Sequence, residues 1–416
     1  MGWPLLPGGG FGRGCAIAAV CSLVLLGGCS SSPKPRAPGE AATPKAVALN
    51  AGCSTQVAPG KLGPAVRPVT ATVPDAPTAM VGTADGRWAF ASLSSHTTGA
   101  IAVMAVARGT LRLVRTVPLP LPHTLPAAYG MTLTHEGRLL LVAGESATAV
   151  LSVSALEDGR GNPLAGVLSD AGSGQFEVSV SPDDRYVYVT DEDTGALSVF
   201  DLAVALRRGF TAAGVAVGLV PLDTGAVGVA QSPDGNLLYV TTYGAYGPYG
   251  QLWVIDAARA DSGAGRGAVL AHVFAGCQPV RVAVSPDGST AWVTALQSNA
   301  LLAFSTAGLR TDPSRALRAV VRTGSEPVGL LLVDNGRVAL VGNSNRGLVA
   351  DSQGTNGPQT VSIIDTAAAL AHRTATTGAV PAGLFPRDLS FDQATGQVML
   401  ANFNSGTVEE FPVPGA

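Results

Sequence analysis

With 416 residues the chain can bury a large core, and length alone would allow two or three domains. Only 13% of residues are charged and the formal net charge is −3, which leaves no basic footprint for nucleic acid. Lysine occurs only at Lys34, Lys45 and Lys61, with arginine at every other basic position, a bias of composition rather than of chemistry.

The chain opens on a targeting pattern. Arg13 supplies a positive n-region, and Ala16 to Leu26 is an apolar run of signal-peptide length, too short for a comfortable membrane span. The run ends in Leu26-Gly27-Gly28-Cys29, followed by the polar Ser30-Ser31-Ser32-Pro33. This ending resembles the bacterial lipobox, and the resemblance implies cleavage before Cys29 and lipidation of its thiol. The alternative is an ordinary signal peptide in which Cys29 is incidental. Residues 29–64 are rich in Pro, Ala, Gly and Ser and read as a flexible tether. The expected division is therefore 1–28 signal peptide, 29–64 tether and 65–416 folded domain. Of five cysteines, Cys15 and Cys21 fall within the signal peptide and Cys29 would carry lipid. Cys53 and Cys277 remain. In an exported protein a disulfide between them would clip the tether to the domain; two free thiols are the alternative.

From residue 65 the chain repeats itself. Val282 to Thr294 reads VAVSPDGSTAWVT, an apolar strand, a Ser-Pro-Asp-Gly turn and a second apolar strand, with Gly supplying the positive-φ corner. Close copies begin at Val178 and Val229, and weaker ones at Met80, Met131, Leu330 and Leu389. The residue ahead of each first strand serves as a ruler: Ala79, Gly130, Glu177, Gly228, Arg281, Gly329 and Asp388. These positions lie 47 to 59 residues apart, the size of a propeller blade. Third strands often end in Asp, at Asp201, Asp256 and Asp365, and a looser fourth strand follows. Four short strands per unit predict an all-β, seven-bladed β-propeller of four-stranded blades. The last repeat runs out after its third strand, so the early strand Ala65 to Val73 is expected to complete it and close the ring.

The phrase Ser-Pro-Asp-Gly, with Tyr188-Val189-Thr190, Tyr239-Val240-Thr241 and Trp292-Val293-Thr294, resembles the repeat of the YVTN family of bacterial β-propellers, akin to lactonase-like propellers. The Gly-x-x-Pro lead-ins at Gly276, Gly324 and Gly383 belong to the same likeness, which covers Pro77 to Val413. Blades one, two and six depart from it. The likeness implies a fold more than a function, because propellers host many activities.

If each first strand starts at the upper face, the ruler residues ring the mouth of the central channel. Four are Gly or Ala, so Glu177, Arg281 and Asp388 stand out, with Tyr129, Phe176 and Arg387 beside them. Two acids and two arginines in a funnel suit a polar or anionic ligand, or else they pair with one another across a water-filled channel. The upper loops add Tyr243, Tyr246 and Tyr249, and Arg346 within Asn343 to Gln359, a composition suited to glycan or protein contacts. Asp191-Glu192-Asp193 lacks the ligand spacing of a calcium loop. His96, His123, His135, His272 and His372 are scattered, no pair has metal-ligand spacing, and no G-x-S-x-G, Cys-x-x-Cys or phosphate loop occurs. No metal or cofactor is called for.

The leading expectation is a membrane-anchored, extracytoplasmic and monomeric binding or scaffold module. Its partners would be the lipid membrane, through acylated Cys29, and an envelope protein or glycan. The rival is a lactonase-like hydrolase or isomerase at the channel mouth, Arg281 stabilising an oxyanion and Glu177 or Asp388 acting as base. A quinone-type electron-transfer propeller is a weaker third.

Overall fold

The computed structural model describes residues 50–58, 61, 63, 66–94, 99–107, 109–119, 127–244, 249–345 and 359–414. Cys29, His96, His123, Tyr246 and Arg346 lie outside them. Seven four-stranded antiparallel sheets form a ring: a seven-bladed β-propeller. Blades 1 to 6 each use four consecutive strands, starting at Ala76, Ala128, Gln175, Ala226, Pro279 and Pro327. Blade 7 takes Pro386–Asp392, Gln397–Asn402 and Thr407–Pro412 and borrows Val69–Thr72 as its outermost strand, with Val69 opposite Glu410 and Thr72 opposite Thr407. Each innermost strand packs against the innermost strands on both sides, including blade 7 against blade 1, so the ring is closed.

The core lies between blades. Seven clusters of buried apolar side chains each bridge one pair of neighbours, for example Phe90, Ile101 and Val103 of blade 1 with Leu140, Val142 and Leu151 of blade 2. In a second strand such as Tyr186–Asp191 even alternate residues are buried, because both sheet faces meet another blade. That explains near-continuous apolar strands where a one-sided sheet would alternate.

The repeated phrase has a physical reason at each letter. In the turns of blades 3, 4 and 5 the Ser hydroxyl donates to the Asp two residues on, Ser181 to Asp183 at 2.6 Å, and accepts the backbone N–H that opens the second strand, from Tyr186 at 2.8 Å. Gly235 sits at φ 72°, and a Cβ there would come within 2.7 Å of Pro182 in the preceding blade, so Pro and Gly are ring-wise neighbours. Blade 3 has Asp184 at this corner instead, at φ 57°. Its carboxylate accepts N–H bonds from His135 and Glu136 of blade 2, and His135 Nδ1 lies 2.8 Å away.

The structure adds elements that the repeat pattern does not predict. The Asp that ends the third strand is a helix cap. Asp201, Asp256 and Asp365 each accept the N–H three residues on, and Ser152 and Ser305 do the same in blades 2 and 5. Five helices of five to seven residues thus link third to fourth strands on the lower face. Every innermost strand also carries a β-bulge at its ruler residue. The bulge frees an N–H, and the Thr of the Tyr-Val-Thr phrase takes it: Glu177 N donates to Thr190 Oγ1, Gly228 N to Thr241 and Arg281 N to Thr294. Thr241 and Thr294 then donate to Val280 and Val328 carbonyls of the next blade, stapling neighbours together.

Part of the segment read from composition as a tether lies on the ring. Ser54 N donates to the Gln297 carbonyl and Ala58 N to that of Thr323, while Ser298 Oγ and Asn299 Nδ2 donate to the carbonyls of Ala51 and Ser54. Cys53 and Cys277 form a disulfide, with Cα atoms 5.1 Å apart. The strand that closes blade 7 is therefore preceded by a strap along the upper rim of blades 5 and 6, pinned where blade 4 passes into blade 5. Backbone hydrogen bonds hold the strap, and a Pro/Ala/Ser-rich composition does not forbid them.

Candidate functional site

The upper channel mouth is built in two tiers. The lower tier is the bulge. Because two residues on the bulged strand oppose one on its partner, the ruler residue and its predecessor are both re-aimed. This tier supplies Tyr129 from blade 2, Phe176 and Glu177 from blade 3, Arg281 from blade 5 and Arg387 and Asp388 from blade 7, and the structure brings all six together. Gly130, the ruler of blade 2, leaves the room: a Cβ there would meet Glu177 Oε1 at 2.5 Å.

The charges are held in a particular way. Arg281 Nη2 lies 3.0 Å from Glu177 Oε2, and the arginine is only 7% exposed. Its Nε and Nη1 are buried without a hydrogen-bond partner among the described residues. Arg387, 6% exposed, makes no ion pair within 4 Å among the described residues. Its guanidinium instead sits over three rings, 5.1 Å from Phe176, 5.4 Å from Phe403 and 5.6 Å from Tyr129. Tyr129 and Phe176 stack at 5.3 Å, and the Arg281 guanidinium lies 5.5 Å from the Phe176 ring. Asp388 accepts a long 3.4 Å bond from the Met80 N–H.

Burial sets the protonation of this group. Desolvation pushes the Glu177 carboxyl up to about 7, with Arg281 opposing and Asp388 reinforcing the shift. Asp388 is raised by the same desolvation against the pull of Arg281. Desolvation, and then the like charge of Arg281, bring Arg387 down to about 10, still a cation at neutral pH.

Of the upper tier, the sequence reading named only Tyr243 as a candidate binding residue. The tier consists of the residue just after each second strand: Glu145, Glu192, Tyr243, Leu296, Ser344 and Phe403 in blades 2 to 7. Tyr129 donates to Glu145 at 3.2 Å, and Tyr243 donates to Glu192. Leu296 and Phe403 join Val280, Val328 and Phe385 in an apolar patch over blades 5 to 7. A second ruler drawn at these positions would have found the tier.

Other candidates lie elsewhere. Tyr249 is 64% exposed and packs edge-on against Phe274 at 5.5 Å, on the outer half of blade 4 and away from the channel. Asp191 is fully buried and accepts from Ser198 Oγ at 2.7 Å, whereas the adjacent Glu192 faces Tyr243, so the acidic run does not converge. No group of three His, Cys, Asp or Glu side chains suited to a metal occurs among the described residues.

Among solved structures, the chain is similar to Kuenenia stuttgartiensis hydrazine synthase, at 17% identity and a TM-score of 0.61, over 83% of this chain and 97% of that one. At that identity the likeness is one of fold alone. No protein-family model and no curated protein matches the chain.

Proposed function

We propose that this chain is a non-catalytic binding module of the bacterial cell envelope, its ligand or partner engaged at the upper mouth of the propeller. The observation that carries the reading is the buried Arg281–Glu177 pair beside Arg387, which lies against aromatic rings and makes no ion pair among the described residues, because charges are kept in so dry a place at a cost that ligand contacts can offset. Export is supported by the Cys53–Cys277 disulfide, a bond rare in reducing compartments. Anchoring rests on the lipobox-like Leu26 to Cys29. Among the described residues no helix is long and apolar enough to cross a membrane. A thermal-shift screen of the whole protein against lactones, sugar acids and cell-wall fragments tests the reading, with envelope pulldown as its second arm. Shifts or captures lost in Arg281→Ala support it; silence in both arms overturns it.

A second reading, a lactonase-like hydrolase or isomerase at the same mouth, is favoured by one observation. The Glu177 carboxyl, pushed up to about 7 beside Arg281, is poised as a general base next to a cation able to stabilise an oxyanion. Lactone turnover abolished by Glu177→Gln, in a protein that still melts cooperatively, would decide for it.

A further inference from the structure

A guanidinium presents two kinds of surface. Its faces accept aromatic rings, and its edge carries N–H donors in a fork that matches a planar oxyanion. In Arg387 the rings of Tyr129, Phe176 and Phe403 lie within 5.1–5.6 Å of the guanidinium carbon, so its nearest side-chain partners are aromatic. Its edge makes neither an ion pair nor a side-chain hydrogen bond among the described residues. Arg281 shows the complementary pattern. One nitrogen is engaged by Glu177, while Nε and Nη1 stay buried and unpartnered. Both guanidinium carbons lie within 5.5 Å of the one Phe176 ring centroid, so the two cations stand beside the same ring. The surrounding wall of Val280, Leu296, Val328 and Phe385 is apolar.

We propose that the mouth is a receptor for a small organic carboxylate, taken edge-on by Arg387, with Arg281 supplying its unpartnered Nε–H and Nη1–H and the ligand's carbon skeleton lying on the apolar wall. This deepens the binding-module reading and rests on it. The three rings around Arg387 hold its guanidinium in place before the ligand arrives, which lowers the ordering cost of binding, and the apolar wall favours an anion with a carbon skeleton, which inorganic phosphate lacks. Glu177 remains on Arg281 Nη2 and does not compete for the other two donors.

The test is calorimetric titration of the full-length protein at pH 6.5 with gluconate, benzoate and citrate, and with inorganic phosphate as the tetrahedral comparison. At least one carboxylate is expected to bind, and phosphate at least tenfold more weakly. Arg387→Lys, which keeps the charge but loses the planar fork, is expected to weaken the carboxylate tenfold or more. Should that variant misfold, Phe403→Leu removes one of the rings beside Arg387 and is expected to weaken the carboxylate by a smaller factor. Phosphate binding as tightly as every carboxylate overturns the proposal, as does a carboxylate affinity untouched by both variants. Titrations silent for all four anions overturn it too; if a neutral sugar or an envelope protein then binds in an Arg281-dependent way, the broader reading survives.

Discussion

The two faces of this ring are made from the same strands and behave differently. On the lower face the turns of blades 3, 4 and 5 repeat one another, Ser to Asp, N–H to Ser and Pro against the next Gly, and blades 2 to 6 each carry a capped helix of one or two turns. Polar groups in these turns find partners in the same turn or, for Asp184, in the turn of the neighbouring blade. On the upper face the bulges aim unlike side chains into one channel, and arginines and carboxyls stay buried with donors and acceptors unused. The repeat specifies the scaffold, and departures from it at a few ruler positions build the site.

The largest effect expected from breaking this contrast lies on the upper rim. The Cys53–Cys277 bond closes a span of 224 residues and pins, where blade 4 passes into blade 5, the strap that leads to the strand completing blade 7. Cys53→Ser should lower stability by about 2–5 kcal/mol in chemical denaturation, and reductant should do the same to wild type while leaving Cys53→Ser unmoved. Unchanged midpoints in both would mean that the strap does not secure the ring.

Next in size is a pH effect. Glu177, with an ordinary value of 4.5, titrates at about 7 in the folded protein. A carboxyl whose folded value is raised holds its proton better when folded. Its contribution to stability is therefore complete below pH 4.5 and is lost as pH rises through 7, by roughly 3 kcal/mol. Fully buried Asp191, pushed up to about 8 by desolvation, adds to the same slope. Melting temperature should fall between pH 5 and 8, and less steeply in Glu177→Gln; a flat wild-type profile would contradict the dry mouth. Ionisation of Glu177, which faces Arg281, Arg387 and Asp388, should also weaken anion binding over that range.

Smaller effects compare single hydrogen bonds on the two faces. Thr294→Val removes both the acceptor for the Arg281 N–H and the donor to Val328, and should cost about 2 kcal/mol in urea unfolding. Asp365→Ala on the lower face removes one helix cap and should cost about 1 kcal/mol. The reverse ranking would undo the assignment of the Thr staples as the stronger joints.

How much of this was legible follows the same division. Blade number, ring closure by the early strand and the Ser-Pro-Asp-Gly hairpins were readable because each repeats and each is local. Glu177, Arg281 and Asp388 were found as exceptions on that ruler. The bulge behind them was not, because it appears only when two strands are set in register. Phe403, Glu145 and Glu192 were missed because the position after the second strand has no shared residue type to draw the eye. The third-strand Asp was seen as a repeat, but its capping role needs the helix beyond it, whose five residues at Thr366–Leu370 are too few for a readable period. The packing of Asn50 to Ala58 was hidden because composition reports the absence of a core, not the presence of backbone hydrogen bonds.

The measurement that most directly tests the division between scaffold and site is a return to the repeat. A triple variant, Glu177→Ala, Arg281→Ala and Asp388→Ala, gives blades 3, 5 and 7 the residue that blade 1 has at Ala79. The triple variant is predicted to fold into the same ring, with an unfolding midpoint close to wild type, and to lose the carboxylate heat in titration calorimetry. A variant that fails to fold, or one that folds and still binds the carboxylate like wild type, would contradict it.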